Sequence, residues 1–147
     1  MRSELWPEDG AETHAREIDE LFAQGIGRPY VALLAFDVTA GDASSPSPVG
    51  FAELSVRPVV DGCTGDRVGY LEGWYVAANR RRAGVGRALL AAGEAWAREH
   101  GCREMGSDVD LGNLVSDDAH RACGFEEVAR VTLYRKTSDG RPEPVSR

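Results

Sequence analysis

The hydrophobic residues in the first half of the chain predict one helix followed by two strands. The segment AETHAREIDELFAQ (11–24) carries apolar residues at helical spacing, and Gly25 is a suitable residue to end that helix. Two apolar runs of strand length follow, PYVALLAFDV (29–38) and VGFAELSVR (49–57). TAGDASSPSP (39–48), which lies between them, is a loop by composition.

The second half of the chain alternates predicted strands with predicted helices. The predicted strands are VGYLEGWYV (68–76), the short REMGSDV (103–109) and the long FEEVARVTLYRKT (125–137). The predicted helices are GVGRALLAAGEAWAREHG (84–101) and NLVSDDAHRAC (113–123). Gly101 and Gly124 are expected to end the two helices. The first of these helices is predicted to bury one face, formed by Val85, Leu89, Ala92 and Trp96.

This order of elements predicts an α+β fold. Adjacent strands favour hairpins, whereas the later alternation of strand and helix favours parallel pairing, so we expect a mixed sheet with helices on its faces. A chain of 147 residues is long enough for one domain with a core. We expect that domain to span residues 1–137 and a flexible tail to span 138–147.

Composition and charge restrict the function classes. The net charge of −7 argues against a nucleic-acid partner, and no apolar run approaches the roughly 20 residues that span a bilayer. The first ten residues lack the apolar region of a signal peptide. Three scattered cysteines favour a reducing, cytoplasmic location, and no recognisable metal-ligand motif is present.

One acidic residue interrupts the apolar strand 68–76. A buried carboxylate without a counter-charge is costly, so Glu72 either faces water on a half-exposed strand or lines a site that needs negative charge. The chain also separates its charges. Four arginines cluster at residues 80–87, whereas acidic residues gather at 108–110 and 117–118, a distribution that could hold an anion and a cation at once.

The segment RRAGVGRALL (81–90) follows a strand and opens a helix, which is the arrangement of an anion site. Glycines let backbone N–H groups approach an anion, the helix N-terminus adds positive potential, and the arginines add full charges. A pyrophosphate is the expected guest. The segment lacks the Gly-Lys-Ser/Thr ending of a Walker A motif and has Leu89 where the dinucleotide fingerprint needs a third glycine.

This segment resembles the acetyl-CoA loop, R-x-x-G-x-G, of the GNAT N-acetyltransferase superfamily. NLVSDDAHRACGF (113–125) is similar to the second cofactor segment of the same family, and the resemblance covers about residues 49–136. It implies a mixed, mostly antiparallel sheet flanked by helices, with acetyl-CoA as the co-substrate. The cofactor-binding residues that it implies are Tyr75, Val76, Arg81, Arg82, Ala83, Gly84, Val85, Gly86, Arg87, Asn113, Ser116 and His120.

A longer set of residues, YLEGWYV, RRRAGVGRALL, AWAREHGCREMGSD and HRACGFEEV, resembles bacterial aminoglycoside 6′-N-acetyltransferases, in particular the dimeric chromosomal enterobacterial and Acinetobacter branch. The resemblance implies an aminoglycoside substrate, a homodimer, and a pocket lined by Glu72 and Asp108. The LWP segment places Trp6 at the lip of that pocket. It also implies that the family's first strand is missing from this sequence.

The resemblance implies direct acetyl transfer to an amine. Glu72 would accept the ammonium proton and Asp108 would hold another ammonium. A backbone N–H near Val76 would polarise the thioester oxygen, and His120 or Tyr134 would protonate the thiolate.

Structural roles remain open for three of the residues that the resemblance assigns. Glu72 fits an ordinary strand position, Asp108 fits a cap or turn, and His120 fits a helix surface. Outside the assigned set, we expect His14 on the surface and Cys123 in the core.

Three function classes therefore remain. The first is an aminoglycoside 6′-N-acetyltransferase. The second is a GNAT enzyme for another amine, such as a polyamine or a protein N-terminus, because an acidic pocket suits any polycation. The third is a non-catalytic acyl-CoA-binding module.

Overall fold

The computed structural model describes residues 1–24, 29–37 and 46–136. Gly25 and most of the loop at 39–48 lie outside these residues, as does the expected tail. Within them the helices are α1 (Arg2–Leu5), α2 (Ala11–Gln24), α3 (Val85–Glu99) and α4 (Leu114–Ala122), with a short 3-10 helix at Ala78–Arg80. The strands are β1 (Tyr30–Phe36), β2 (Pro48–Arg57), β3 (Val68–Val76) and β4 (Glu104–Ser107).

The four strands form one mixed sheet in the order β1-β2-β3-β4. β1 pairs antiparallel with β2 and β2 pairs antiparallel with β3, whereas β3 pairs parallel with β4. The parallel pair needs a crossover, and α3 supplies it. The predicted mixed, mostly antiparallel sheet with flanking helices is therefore confirmed.

The core lies between the sheet and α3. Ala52, Leu54 and Leu71 of the sheet pack against Leu89 and Leu90 of the helix. Close packing extends along α3, because a Cβ atom added at Gly93 would lie 2.7 Å from a Leu54 methyl carbon.

The face that α3 buries differs in part from the predicted one. Ala92 is exposed, while Gly93 and Ala97 are buried. Val85 and Trp96 are half-buried, and Trp96 packs against both clusters of the core. The prediction followed the large side chains, but the closest contact with the sheet is made where the helix has small residues.

The opposite face of the sheet is covered near its centre by α1 and the turn that follows it. The Trp6 ring lies 6.2 Å from the Phe51 ring and 6.3 Å from the His14 ring, measured between centroids. His14 is only 4% exposed and its Nε2 lies 3.2 Å from the Trp6 carbonyl oxygen. The expectation that His14 is a surface residue is therefore wrong, because α2 turns this side chain onto Trp6.

The predicted strand at 125–137 is wrong over residues 125–136, which form no strand in the structure. Leu133 and Tyr134 are 91% and 93% exposed, respectively. β-Branched and aromatic residues favour a strand only where a neighbouring strand supplies hydrogen bonds, and in the described chain no strand pairs with this segment. Local ion pairs of Glu127 with Arg121 and Arg130 hold its beginning instead.

None of the helices in the described residues is long and apolar enough to cross a membrane.

Candidate active site

Glu72 lies at a β-bulge of β3, on the face of the sheet that α1 partly covers. Glu53 of β2 pairs with Gly73 and Leu54 pairs with Leu71, so Glu72 is the extra residue between them. Leu71 still packs into the core on the α3 side. Strand alternation places the Glu72 side chain on the other side, where the Ser55 hydroxyl donates to it at 2.5 Å.

Arg57 holds the carboxylate of Glu72 by two hydrogen bonds. Its Nη2 lies 2.5 Å from Oε2 and its Nε lies 3.2 Å from Oε1, the two-pronged geometry that arginine makes with a carboxylate. Both side chains are partly exposed. Glu72 is therefore neither a plain solvent-facing residue nor a bare negative charge, because a resident cation already neutralises it.

Tyr70 connects this ion pair to Asp108. The Arg57 guanidinium carbon lies 3.5 Å from the centre of the Tyr70 ring, a cation–π contact, and the Tyr70 hydroxyl donates to Asp108 Oδ1. Burial, and then the hydrogen bond to Asp108, raises the pKa of Tyr70 above its usual range, so the phenol keeps its proton. Two acidic residues that are 36 positions apart thus belong to one connected cluster.

A third acid, Glu53, lies on the same face. Glu53 is buried, accepts a 2.6 Å hydrogen bond from the Tyr30 hydroxyl, and pairs with Arg2 at 3.0 Å. Burial, and then the bond to Glu53, raises the pKa of Tyr30. We call this face of the sheet the acidic face. It carries the carboxylates of Glu53, Glu72 and Asp108, and the first two are each paired with an arginine.

Trp6 lies beside the strand that carries Glu72. A Cβ atom added at Gly73 would lie 2.5 Å from the tip of the Trp6 indole, so the glycine is what allows the ring to approach β3 so closely. The sequence-predicted pocket residues Trp6, Glu72 and Asp108 are thus found on one side of the sheet.

Residues 81–84, here called the arginine–glycine loop, lead into an uncapped N-terminus of α3. Gly84 precedes α3 with a φ of 84°, no side chain caps the helix, and a Cβ atom at Gly84 would have no neighbour within 4 Å. The first-turn N–H groups of Val85, Gly86 and Arg87 belong to the N–H groups that an α-helix cannot pair internally. Together with the helix dipole they form a site that attracts an anion.

The arginines around this loop have different positions. Arg82 is exposed with a φ of 61°, whereas Arg80 is held by an ion pair with Asp37 at the end of β1. Arg81 donates from Nε to the Val76 carbonyl at 3.0 Å, and Arg87 donates to the Ala122 carbonyl at 3.4 Å. Arg82 thus extends into solvent beside the helix start, and the other three tie the loop and α3 to the fold.

The backbone at the end of β3 faces the gap between β3 and β4. Ala77 N–H donates to the Val49 carbonyl, so by the alternation of an antiparallel pair the N–H of Val76 points away from β2. The pairing of β3 with β4 ends at Leu71 and Ser107. β4 ends there, so within the described residues β3 continues to Val76 without a strand paired on that side, and this unpaired stretch is the gap between β3 and β4.

The second predicted cofactor segment is α4. Asn113 caps it by accepting from the Ser116 N–H at 3.2 Å. His120 is 8% exposed, and its ring meets the Trp74 ring edge-on at a centroid distance of 5.5 Å. The histidine is thus a buried residue that faces the sheet and does not lie on the outer surface of α4.

Two other predicted residues lie apart from this geometry. Tyr134, the second candidate acid, is almost fully exposed in the segment that forms no strand, so the structure does not bring it to the site. The ring of Tyr75 stacks on Phe51 on the acidic face of the sheet, and burial, followed by a hydrogen bond to Glu4, raises its pKa. Ala83, also predicted, is an exposed residue of the arginine–glycine loop.

Sequence reasoning missed Ser55, Arg57, Tyr70 and Ser107. The first two had a signal, because Glu53, Ser55 and Arg57 alternate along a strand and therefore share one face. Tyr70 and Ser107 had none, since their partners Asp108 and His120 reach them only through the packing of β4 and α4.

Two features define the class of this protein: the mixed sheet and the uncapped, anion-attracting N-terminus of α3 that follows β3. The chain belongs to the acetyltransferase (GNAT) family, whose model matches residues 1–125.

Individual relatives agree with this family. The chain is 46% identical over 136 residues to an aminoglycoside N(6′)-acetyltransferase type 1 of Klebsiella aerogenes, covering 92% of this chain and 86% of that protein. It is 39% identical over 138 residues to the enzyme of the same name from Serratia marcescens, covering 93% and 88%.

Two solved structures are also similar. AAC(6′)-Iy in complex with the bisubstrate analogue CoA-S-monomethyl-acetylneamine matches with a TM-score of 0.78 and 36% identity, covering 93% of this chain and 87% of that one. AAC(6′)-Ih from Acinetobacter baumannii matches with a TM-score of 0.80 and 33% identity, covering 92% and 86%.

Proposed function

We propose that this protein transfers an acetyl group from acetyl-CoA to the 6′-amino group of aminoglycosides. The observation that carries the proposal is the connected cluster of Glu72, Arg57, Tyr70 and Asp108. Two of its members lie on β3, the strand that leads into the arginine–glycine loop. A polycationic amine needs carboxylates on one side and an acyl donor on the other. The names of the similar proteins specify the amine.

The chain fits acetyl-CoA by its own residues. The uncapped start of α3 and the exposed Arg82 suit a pyrophosphate, and β3, the strand that carries Glu72, leads into this loop. Acetyl-CoA supplies the activated acetyl group when it is bound. The Val76 N–H is oriented to donate to the thioester oxygen. Asn113, Ser116 and His120 on α4 are proposed to line the same gap, and Trp6 the lip of the amine pocket.

Glu72 is the proposed acceptor of the ammonium proton, and Asp108 holds a second ammonium. The amine attacks only as a free base, so a carboxylate beside it removes the proton that blocks attack. Arg57 occupies the Glu72 carboxylate in this structure, so an entering ammonium either replaces one of its two hydrogen bonds or binds beside it. Asp108, which Tyr70 orients, gives the substrate a second charged contact.

A matched pair of aminoglycosides tests the proposal. Release of free CoA thiol is followed with purified protein, acetyl-CoA, and either neomycin or paromomycin, which carry an amine and a hydroxyl, respectively, at the 6′ position. We expect rapid release with neomycin and none above background with paromomycin. Release with spermidine but not with neomycin would favour a polyamine acetyltransferase, and acetyl-CoA binding without release to any amine would favour a non-catalytic module.

We further propose a cytoplasmic homodimer that acts on a small molecule rather than on nucleic acid or a membrane. Support comes from the net charge of −7 and from Cys63, Cys102 and Cys123, which form no disulfide. The homodimer rests on the resemblance alone. Light scattering after size-exclusion chromatography tests it, with about twice the monomer mass expected and the monomer mass contradicting it.

A further inference from the structure

His120 makes hydrogen-bond contacts through both ring nitrogens. Nδ1 lies 2.7 Å from the Ser116 carbonyl oxygen, which can only accept, so Nδ1 carries a proton. Nε2 lies 3.0 Å from the Ser107 hydroxyl oxygen. The imidazole is 8% exposed, with the Trp74 and Phe125 rings against it at centroid distances of 5.5 Å and 5.1 Å. Of the two hydrogen-bond partners of the imidazole, Ser107 is the one on the sheet.

Ser107 lies where the two strands part. It is the last residue of β4, and its pairing with Leu71 is the last between β3 and β4. Its hydroxyl lies 3.3 Å from the Leu71 carbonyl oxygen, and its side chain is only half-buried. The hydroxyl therefore stands at the closed end of the gap, with a buried imidazole behind it.

The single proton of the Ser107 hydroxyl permits two arrangements. When His120 is neutral, its Nε2 has a lone pair and Ser107 donates to it. When His120 is an imidazolium, Nε2 donates to Ser107, whose proton then points to the Leu71 carbonyl or to a stronger acceptor in the gap. The protonation state of the imidazole thus sets the direction of the serine hydroxyl.

We propose that Ser107 is the catalytic acid that contacts the CoA sulfur and that His120 supplies its proton. This inference rests on the proposed acetyl transfer. As the carbon–sulfur bond breaks, Ser107 gives its hydroxyl proton to the sulfur and takes the Nε2 proton of the imidazolium. His120 is left neutral, with Nδ1–H on the Ser116 carbonyl, and regains its proton from solvent. Each proton is accounted for and no other reactant is needed.

The surroundings of His120 suit this role. In the described part of the chain, the hydrogen-bond and ring contacts of its side chain are with Ser107, Ser116, Trp74 and Phe125, and none of these is charged. No carboxylate among these contacts holds the imidazolium proton, so transfer through the serine is not opposed by an ion pair. The arrangement differs from a Ser–His–Asp triad, in which a carboxylate favours the imidazolium.

The matched variants Ser107→Ala and Ser107→Thr test the proposal, because threonine keeps the hydroxyl and suits a strand. With any accepted amine at saturation, we expect Ser107→Ala to lower kcat about 100-fold, the lower end of general acid catalysis, and to leave KM for acetyl-CoA within about twofold. Ser107→Thr should keep most of the activity. His120→Gln should lower kcat as much as Ser107→Ala does. The double variant should lower kcat no further, because the two residues act as one unit.

A second measurement needs neither an amine nor turnover. The ultraviolet absorbance of the thiolate is titrated in the binary complex with CoA itself. A hydroxyl backed by an imidazolium stabilises the thiolate, so in Ser107→Ala the thiolate should appear at a higher pH than in wild type or Ser107→Thr. An unchanged titration, or wild-type kcat in Ser107→Ala, would overturn the proposal. Equal loss of kcat in the alanine and threonine variants with an unchanged titration would make Ser107 structural. Failure of the proposed substrate class would appear instead as no turnover of aminoglycosides by wild type.

Discussion

The acidic face and the arginine–glycine loop differ in whether their polar groups are already paired within the protein. On the acidic face, Glu72 is held by Arg57, and Asp108 is bonded to Tyr70. At the loop, the helix start is uncapped and Arg82 is exposed. The acids are thus held by other side chains before a ligand arrives, whereas the loop presents backbone groups that a helix leaves unpaired.

This difference shows how each region achieves selectivity. A loop of open N–H groups accepts any well-placed phosphate, and many enzymes share such an anion site. A cluster that already contains a cation has to exchange contacts when a cationic substrate enters, so it discriminates by geometry as well as by charge. Three of the four predictions that follow separate the two regions, and the fourth tests the fold away from both.

The largest effect is expected from Glu72→Gln, which should lower kcat/KM for the amine by about 100-fold or more and leave acetyl-CoA affinity within about twofold. The amide keeps the shape of the side chain but cannot take a proton. Steady-state kinetics and calorimetry with acetyl-CoA measure the two quantities. Glu53→Gln, on the same face, is the control. It should lower the melting temperature and change kcat/KM for the amine much less than Glu72→Gln does. Equal loss of turnover and acetyl-CoA affinity in Glu72→Gln would mean that Glu72 is structural.

Arg82→Gln should raise the acetyl-CoA dissociation constant about tenfold, since hydrogen bonds to charged groups contribute about 1.5–3 kcal/mol. Arg80→Gln is the matched control two positions away. Because Arg80 is paired with Asp37, its loss should lower the melting temperature and change acetyl-CoA affinity little. Calorimetry at two salt concentrations measures both variants. The reverse ranking would show that the structure assigns the wrong arginine to the ligand.

Tyr70→Phe should raise KM for the aminoglycoside about fivefold, corresponding to roughly 1 kcal/mol for one hydrogen bond. The ring stays under Arg57, but Asp108 loses the hydroxyl that orients it. The KM for acetyl-CoA should not change. A change in both KM values would show that the acidic cluster and the cofactor loop are coupled.

The smallest effect is expected at Glu104, away from both regions. Its carboxylate accepts from the Gly65 N–H at 2.6 Å and from Thr64, and these bonds lower the pKa of Glu104. A lowered pKa stabilises the fold above the ordinary glutamate pKa of about 4.3, and this stabilisation is lost as the pH falls through the folded-state value.

Glu104→Gln should therefore lower the melting temperature at pH 7 but less at pH 3. Glu8→Gln, at an exposed position, should leave the melting temperature unchanged at both pH values. Thermal melts of the variants and the wild type at the two pH values measure these shifts. If Glu104→Gln lowers the melting temperature equally at pH 3 and pH 7, the link between the lowered pKa of Glu104 and stability is excluded.

Local pattern was enough for most of the fold. The strand at Val68–Val76 and the helix at Val85–Glu99 lie where periodicity and glycine positions predicted them, because both signals act within a few residues. The family was also predictable, since its anion loop is a short local motif. The strand expected at 125–137 failed for the opposite reason, because strand formation depends on a distant partner.

The sequence by itself determined that a carboxylate interrupts an apolar strand and that an arginine–glycine loop follows it. Only the tertiary structure decided what Glu72 faces. Arg57 reaches its carboxylate because β2 and β3 pair antiparallel, and the ring of Tyr70, on the same strand as Glu72, packs against that guanidinium. It also decided that His120 meets Ser107, two residues on different elements. Propensity acts along the chain, whereas hydrogen-bond partners and counter-charges are set by which elements pack together.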